Sequence, residues 1–408
     1  MPAADPLPDD PHDALVLGPA VLAEPTGSGP LDGLRFVAKD LFDVAGTLTG
    51  AGNPDVRADA EPAVTHAAAV ARLLAAGATC VGRARTAETA YSLSAVNVHE
   101  PTPTNPAAPG RDPGGSSSGS AVAVAGGLAA VALGSDTAGS VRVPASYCGV
   151  VGVRPTHGRV PLTGVFPLAP RFDTAGWFTR RGPLAATVGS VLVDGWGSGA
   201  GVGGAGGRPT ALRVAVDLFA WCEPAARESL GHAVERVAAE LGVTAEPVAL
   251  WGPEGGGIWA ETFRTLQRHD AWAANGVWIE RLRPRFGPDV AQRWAEAAAT
   301  TADEADAAEE TRARLAAEVA PVLDGGAVVL VPSAPGPAPE LGLAPEAAAA
   351  ARAQLLPFSV IAPLLGAPQA SLPLAQVDGL PVGLGVLAAP GADELVCALA
   401  ARLVPDRR

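Results

Sequence analysis

The sequence predicts an α/β fold, a large mixed sheet flanked by helices on both faces, and three observations carry that prediction. At 408 residues, with 48% hydrophobic and 17% charged side chains, the chain can bury a sizeable core and is neither disordered nor fibrous. Short apolar runs bounded by Gly and Pro alternate with Ala- and Leu-rich stretches at helical spacing, as strands interleaved with helices do. Several of these runs, Leu128 to Leu133 and Ala327 to Pro332 among them, are apolar throughout, the pattern of strands covered on both faces.

In chain order, residues 13–40 read as strand, Gly/Pro turn and strand, the second strand ending at Lys39. Thr65 to Ala76 is a helix capped by Gly77, and Ala78 to Gly82 is a short buried strand. Glu88 to Pro106 is rich in turn formers, with Tyr91, Asn97 and His99 as polar handles. The stretch Pro113 to Pro144 opens with Gly114-Gly115-Ser116-Ser117-Ser118-Gly119. It passes through a small-residue helix and an apolar strand, and ends in Asp136-Thr137-Ala138-Gly139-Ser140. Residues 195–207 hold eight glycines and read as a loop or linker; their GxGxxG-like phrasing lacks the strand-turn-helix context of a dinucleotide site. Beyond them come a strand at Leu212 to Asp217, an amphipathic helix at Pro224 to Leu241, and helices from Gly257 to Val322. Trp259, Phe263, Trp272 and Trp278 there are candidate pocket walls, although aromatics at helical spacing more often fill a core. Ala327 to Pro332 is a buried strand entering the Ser333–Pro337 loop; Ala370 to Leu374, Pro381 to Leu387 and a helix at Ala392 to Leu403 form a βαβ-like finish. The chain thus divides into an N-terminal segment (1–30), a core with the lysine and both serines (31–194), the glycine-rich loop (195–207), and a C-terminal part of the same fold (208–408).

The chemistry concentrates in two places. Ser116 and Ser140 lie 24 residues apart, enough for a helix and a returning strand to bring them together. Hydroxyls beside glycine-rich backbone suit acyl transfer, because small residues let N–H groups approach a developing oxyanion. Upstream, Lys39 ends the apolar run Phe36 to Ala38. It is the one lysine in a chain with 28 arginines. Arginine stays charged, whereas a buried lysine loses its proton and becomes a base, so this position reads as one where arginine cannot serve. Other arrangements fit less well. His157 sits in a Thr-His-Gly turn, Ser117 satisfies GxSxG without a preceding hydrophobic strand, and an SxxK pattern fails because Phe36 stands three positions before Lys39. Asp136 and Arg142 flank Ser140 and read as a pair that holds its loop.

The runs KDLFDVAG, GGSSSGSA and GSDTAGSVRVPASYCGVVGVRPTHG, with FDTAGWF, VLVPSAPGPAP and SLPLAQVDGLPVGLGV in order behind them, resemble the amidase signature family, nearest its indole-3-acetamide hydrolase-like branch. The resemblance covers Leu31 to Leu403. It implies the amidase signature fold and hydrolysis of a small amide through a Ser-cisSer-Lys triad: Ser140 as nucleophile, Ser116 as bridging serine after a cis Gly115–Ser116 bond, Lys39 as base. It further implies an oxyanion hole in the backbone N–H groups of Thr137, Ala138, Gly139 and Ser140, with Asp136, Arg142 and Ser117 supporting. Residues 88–106 and 333–337 are implied to border the pocket. One departure stands out: Ala138 replaces a common glycine, which strains the hole if that position needs positive φ.

Composition narrows the remaining classes. A net charge of −13 without a basic patch argues against nucleic-acid binding. Cys80, Cys148, Cys222 and Cys397 lack metal-ligand spacing and read as buried thiols of a reducing compartment. No signal peptide or membrane span is evident, so the expectation is a cytoplasmic monomer or homodimer that needs no metal or organic cofactor and acts on a small-molecule amide. Two other readings stay open: an ammonia-producing amidotransferase subunit acting on glutamine with partner chains, and a non-catalytic amidase-like binding module.

Overall fold

A computed structural model of the chain describes residues 7, 9–197 and 207–406. Most of the glycine-rich loop expected at 195–207 therefore lies outside the described residues. One mixed sheet organises the rest. Its strands are β1 (Leu15–Leu17), β2 (Arg35–Lys39), β3 (Thr79–Ala84), β4 (Val131–Ser135), β5 (Val151–Arg154), β6 (Ala175–Thr179), β7 (Leu212–Ala215), β8 (Ala245–Val248), β9 (Val328–Pro332), β10 (Gln369–Val377) and β11 (Leu380–Ala388). They lie in the order β1-β3-β2-β4-β6-β5-β10-β11-β9-β7-β8.

Residues alternate across this sheet, and both faces are covered, as the all-apolar runs predict. Phe36, Ala38, Val131 and Leu133 point into the larger core. Val37 and Ala132 point the other way, under the Ser118–Ala125 and Arg142–Cys148 helices. The first of these helices is built from Ser, Gly, Ala and Val alone. Its Ser120 Oγ donates to Leu133 O of β4 at 2.8 Å, so small side chains let the helix sit close on the strand.

β2 and β4 are parallel neighbours, with Ala38 paired to Leu133. Their C-terminal ends therefore lie side by side, and a polar residue at each end faces the same point, the usual place for a site in such sheets. The chain's close differs from the expected βαβ unit. β10 and β11 form an antiparallel hairpin with Val377 opposite Leu380, turned by Asp378 (φ 50°) and Gly379 (φ 80°). Two successive residues at positive φ are what a tight two-residue hairpin turn requires, and Asp-Gly was the readable cue. The Asp393–Leu403 helix follows as expected.

Of three long helices, Gly256–Leu282, Pro288–Ala299 and Ala302–Leu323, the first packs against the other two. A fourth, Pro345–Ser359, joins them, although its alanine-rich sequence suggested no role. The stretch Glu346–Leu365 is apolar enough by length and composition to cross a membrane, and half of it is buried inside the fold.

Candidate active site

Lys39 completes β2 behind three buried residues and is itself fully buried. Its Nζ lies 2.7 Å from Ser116 Oγ and 2.7 Å from Ser135 Oγ. Burial pushes its pKa down to about 7, against the opposing pull of the Asp136 and Asp173 charges. A lysine in this setting is substantially neutral near pH 7, with a lone pair to offer a hydroxyl. Ser116 reaches it from the loop before the Ser118–Ala125 helix, and the Gly115–Ser116 bond is cis. The two serine clusters do meet: Ser117 N–H donates to Ser140 O at 3.2 Å, and Ser117 Oγ to Ser135 O at 3.1 Å. Ser117 thus ties the first cluster to the end of β4 and to the second.

The 136–140 loop is held from below. Asp136 is buried and accepts from Arg142 Nε at 3.0 Å and Nη2 at 2.8 Å, from Arg154 Nη1 at 3.1 Å, and from Val141 N–H at 3.1 Å. Burial alone would push the Asp136 carboxyl up; the two guanidiniums outweigh it and hold it well below the usual carboxylate range. Arg142 also donates to Ser359 O and Gln369 Oε1, each at 2.8 Å, so the loop is anchored to the far half of the chain. At the loop's other edge Thr137 Oγ1 donates to Asp173 at 2.6 Å.

This clamping leaves the upper side of the loop unengaged. Among the described residues, none of the N–H groups of Thr137, Ala138, Gly139 and Ser140 donates to a protein acceptor. Four consecutive backbone donors in the loop that carries the Ser140 hydroxyl are thus left without a protein acceptor. The strain that Ala138 would bear does not arise. Positive φ falls on Gly139, at 138°, and Ala138 is absent from the positive-φ residues.

Ser140 and the loop floor a cavity of about 330 Å³. Ala90, Tyr91, Ser92 and Leu93 form one wall. Three helices supply the others, each presenting a single face at i, i+3, i+4 spacing: Arg264, Gln267 and Arg268; Asp289, Gln292, Arg293 and Glu296; Ala349, Arg352, Ala353 and Leu356. Lys39 and Ser116 do not line the cavity and are sealed from solvent.

Several expected contacts fall elsewhere. Of the three polar handles only Tyr91 borders the cavity; Asn97 donates to Gly52 O and Thr86 O, and His99 is paired with Glu88 at 2.9 Å. Trp259 and Phe263 are buried core and none of the four aromatics lines the cavity, because the helix turns its polar residues to that side. The 333–337 loop does not close this pocket: Pro335, Gly336 and Pro337 border a separate cavity with Arg111, Tyr147 and Glu223. His157 is exposed and spans to Pro170 O, remote from any acid–base role at Ser140. Residues that sequence reading missed are Ser135, Asp173, Arg154 and the Pro345–Ser359 helix. Ser135 and Asp173 stand inside quoted motifs, and only the pairing of β4 with β2 and with β6 brings them to Lys39 and Thr137.

A family model described as Amidase matches residues 21–196 and 224–397. The rice protein Amidase 1 (Oryza sativa subsp. japonica) is 36% identical over 400 residues, covering 91% of this chain and 90% of that protein. The pea (Pisum sativum) Translocon at the outer membrane of chloroplasts 64 is 31% identical over 404 residues, 93% of this chain and 67% of its own length. A crystal structure of an amidase superposes with a TM-score of 0.80 at 32% identity, covering 92% of this chain and 85% of that one. A family model matched over most of the chain, together with a relative 36% identical along nine-tenths of both sequences, means that the chain belongs to the amidase family and is a hydrolase acting on carbon–nitrogen bonds in amides.

Proposed function

We propose that this chain hydrolyses a small primary amide to the carboxylic acid and ammonia through an acyl-enzyme on Ser140. The observation that carries the reading is the buried Lys39, whose Nζ lies 2.7 Å from Ser116 Oγ; the next residue, Ser117, donates its N–H to the carbonyl of cavity-lining Ser140 at 3.2 Å. Neutral Lys39 takes the Ser116 proton as Ser116 takes that of Ser140, and Ser140 Oγ attacks the amide carbon. The resulting oxyanion is held by the unengaged N–H groups of residues 137–140. The proton on Lys39 returns through Ser116 to the amide nitrogen, the carbon–nitrogen bond breaks, and ammonia leaves. Water, deprotonated along the same path, then attacks the Ser140 ester and frees the acid.

The cavity volume suits a small acyl group, and indole-3-acetamide, phenylacetamide and short aliphatic amides belong on the first panel. The test is ammonia release by the purified chain alone. Turnover of at least one amide is expected, abolished in Ser140→Ala, together with Ser140-dependent labelling by a fluorophosphonate. Loss of labelling with no amide turned over by the wild type would overturn the catalytic reading. Labelling without turnover on any amide, glutamine included, would point instead to a partner-dependent amidotransferase.

A further inference from the structure

The charge lining the cavity identifies what the substrate carries besides its amide. Four arginines and two carboxylates border it. Each carboxylate is already taken: Glu296 by Arg268, and Asp289 by Arg352 at 2.7 Å. Arg264 is paired within its own helix to Glu261 at 3.2 Å. That leaves Arg293. Its Nη1 donates to Tyr91 O in the adjoining wall, and among the described residues no carboxylate lies within ion-pair distance of it. Burial, and then the neighbouring Arg352 charge, push its guanidinium down from the ordinary arginine range, outweighing the more distant pull of Asp289 and Glu296, neither of which is within ion-pair distance of it. A guanidinium has five donors in a planar fork matched to a carboxylate. Leaving one half-buried and without an anion costs stability, and a bound anion relieves that cost.

We propose that Arg293 is a specificity-determining residue which binds a carboxylate at the end of the substrate remote from the scissile amide, so that the preferred substrates are small anionic amides such as the monoamides of dicarboxylic acids. The inference rests on the hydrolytic reading for its reaction but not for its binding site. It selects against neutral aryl-acetamides of similar size, because they leave the guanidinium desolvated and unpaired.

The experiment compares malonamate with malonamide and succinamate with succinamide, pairs that differ in a carboxylate against a neutral amide. In the wild type, kcat/KM for the anion should exceed that for its neutral partner in at least one pair. Arg293→Gln should lower that ratio on the order of 10- to 100-fold, mostly through KM, the scale of a lost charge-assisted hydrogen bond. Arg293→Lys, which keeps the charge and disturbs the helix least, should recover part of it. Binding to Ser140→Ala, measured by calorimetry with the same four compounds, separates the two readings. Tighter binding of an anion, weakened by Arg293→Gln, upholds the carboxylate site even where the wild type turns nothing over. Equal or tighter binding of both neutral partners, or a ratio unmoved by Arg293→Gln, overturns it whatever the turnover.

Discussion

Replacing Lys39 by methionine should shift stability by an amount that becomes steadily less favourable as pH rises. The reason lies in the difference between the folded pKa of about 7 and the ordinary lysine value near 10.5. The unfolded chain holds the extra proton throughout that interval, so stability of the wild type increases with pH there, by about 1.4 kcal/mol per unit at most. Integrated, the buried amine costs the folded state about 4 kcal/mol at pH 7 and about 3 kcal/mol near pH 8.4. Methionine removes this cost but leaves Ser116 and Ser135 each short of a partner, a loss of about 1–3 kcal/mol apiece that does not vary with pH. The diagnostic is therefore the pH dependence of the difference between the two proteins. It should narrow by about 1–2 kcal/mol from pH 7 to about pH 8.4. This window is unusually clean because the chain has no other lysine. The four cysteines are buried with raised pKa values, Cys80 to about 11 and Cys222 to about 12; they act in the opposite sense at higher pH and cancel in the difference. Urea unfolding followed by the fluorescence of the eight tryptophans gives the measurement. A difference that stays constant between about pH 6 and 8.4 would mean that Lys39 has the same affinity for a proton folded and unfolded, and the amine could not serve as a base near neutrality.

Further outcomes follow from the same geometry. Lys39→Arg keeps the charge but never offers a lone pair, so kcat/KM on any amide the chain turns over should drop on the order of 10³-fold. The wild-type kcat/KM should fall about tenfold per pH unit below about 7, as Lys39 gains its proton; a flat profile from about pH 5 to 9 would count against it. Asp136→Asn leaves Arg142 and Arg154 buried without an anion and should cost about 3–5 kcal/mol in chemical unfolding. Ala138→Gly should leave turnover within about twofold and lower stability by about 0.4–1 kcal/mol, because Ala138 is not at positive φ and the substitution only adds freedom to the unfolded chain.

The sequence revealed this site to different depths for different physical reasons. Lys39 was legible because chemistry set it apart: a single amine among arginines, at the end of an apolar run. The serine clusters were legible through glycine-rich spacing and the helix-then-strand length between them. Ser135 was not, although it lies as close to the amine as Ser116 does. Its position depends on β2 and β4 lying parallel in one register, a contact between residues 96 apart, and local pattern carries no trace of that. Asp173 enters the same way, through the antiparallel pairing of β6 with β4. The hairpin of β10 and β11 is a different case, since Asp378-Gly379 announced it and the expected βαβ finish overlooked a turn signal that was present.

Specificity stays hidden for a further reason. A reaction needs particular residue types, and type is what a sequence states. A pocket needs particular faces of helices, and the choice of face is made by packing. On the Pro288–Ala299 helix, Trp294 and Arg293 are neighbours in sequence; the indole is buried against Tyr91 with ring centroids 5.0 Å apart, and the guanidinium lines the cavity. A rotation of the helix by about 100°, one residue's worth, would put the indole where the guanidinium now lies. Composition shows 28 arginines and gives each the same charge, so which of the four on the cavity wall stays beyond ion-pair distance of a carboxylate, among the described residues, is decided only after the ion pairs Arg268–Glu296 and Arg352–Asp289 have formed. The cation left over is a property of the assembled wall, and it is there that the preference for an anionic substrate would be set.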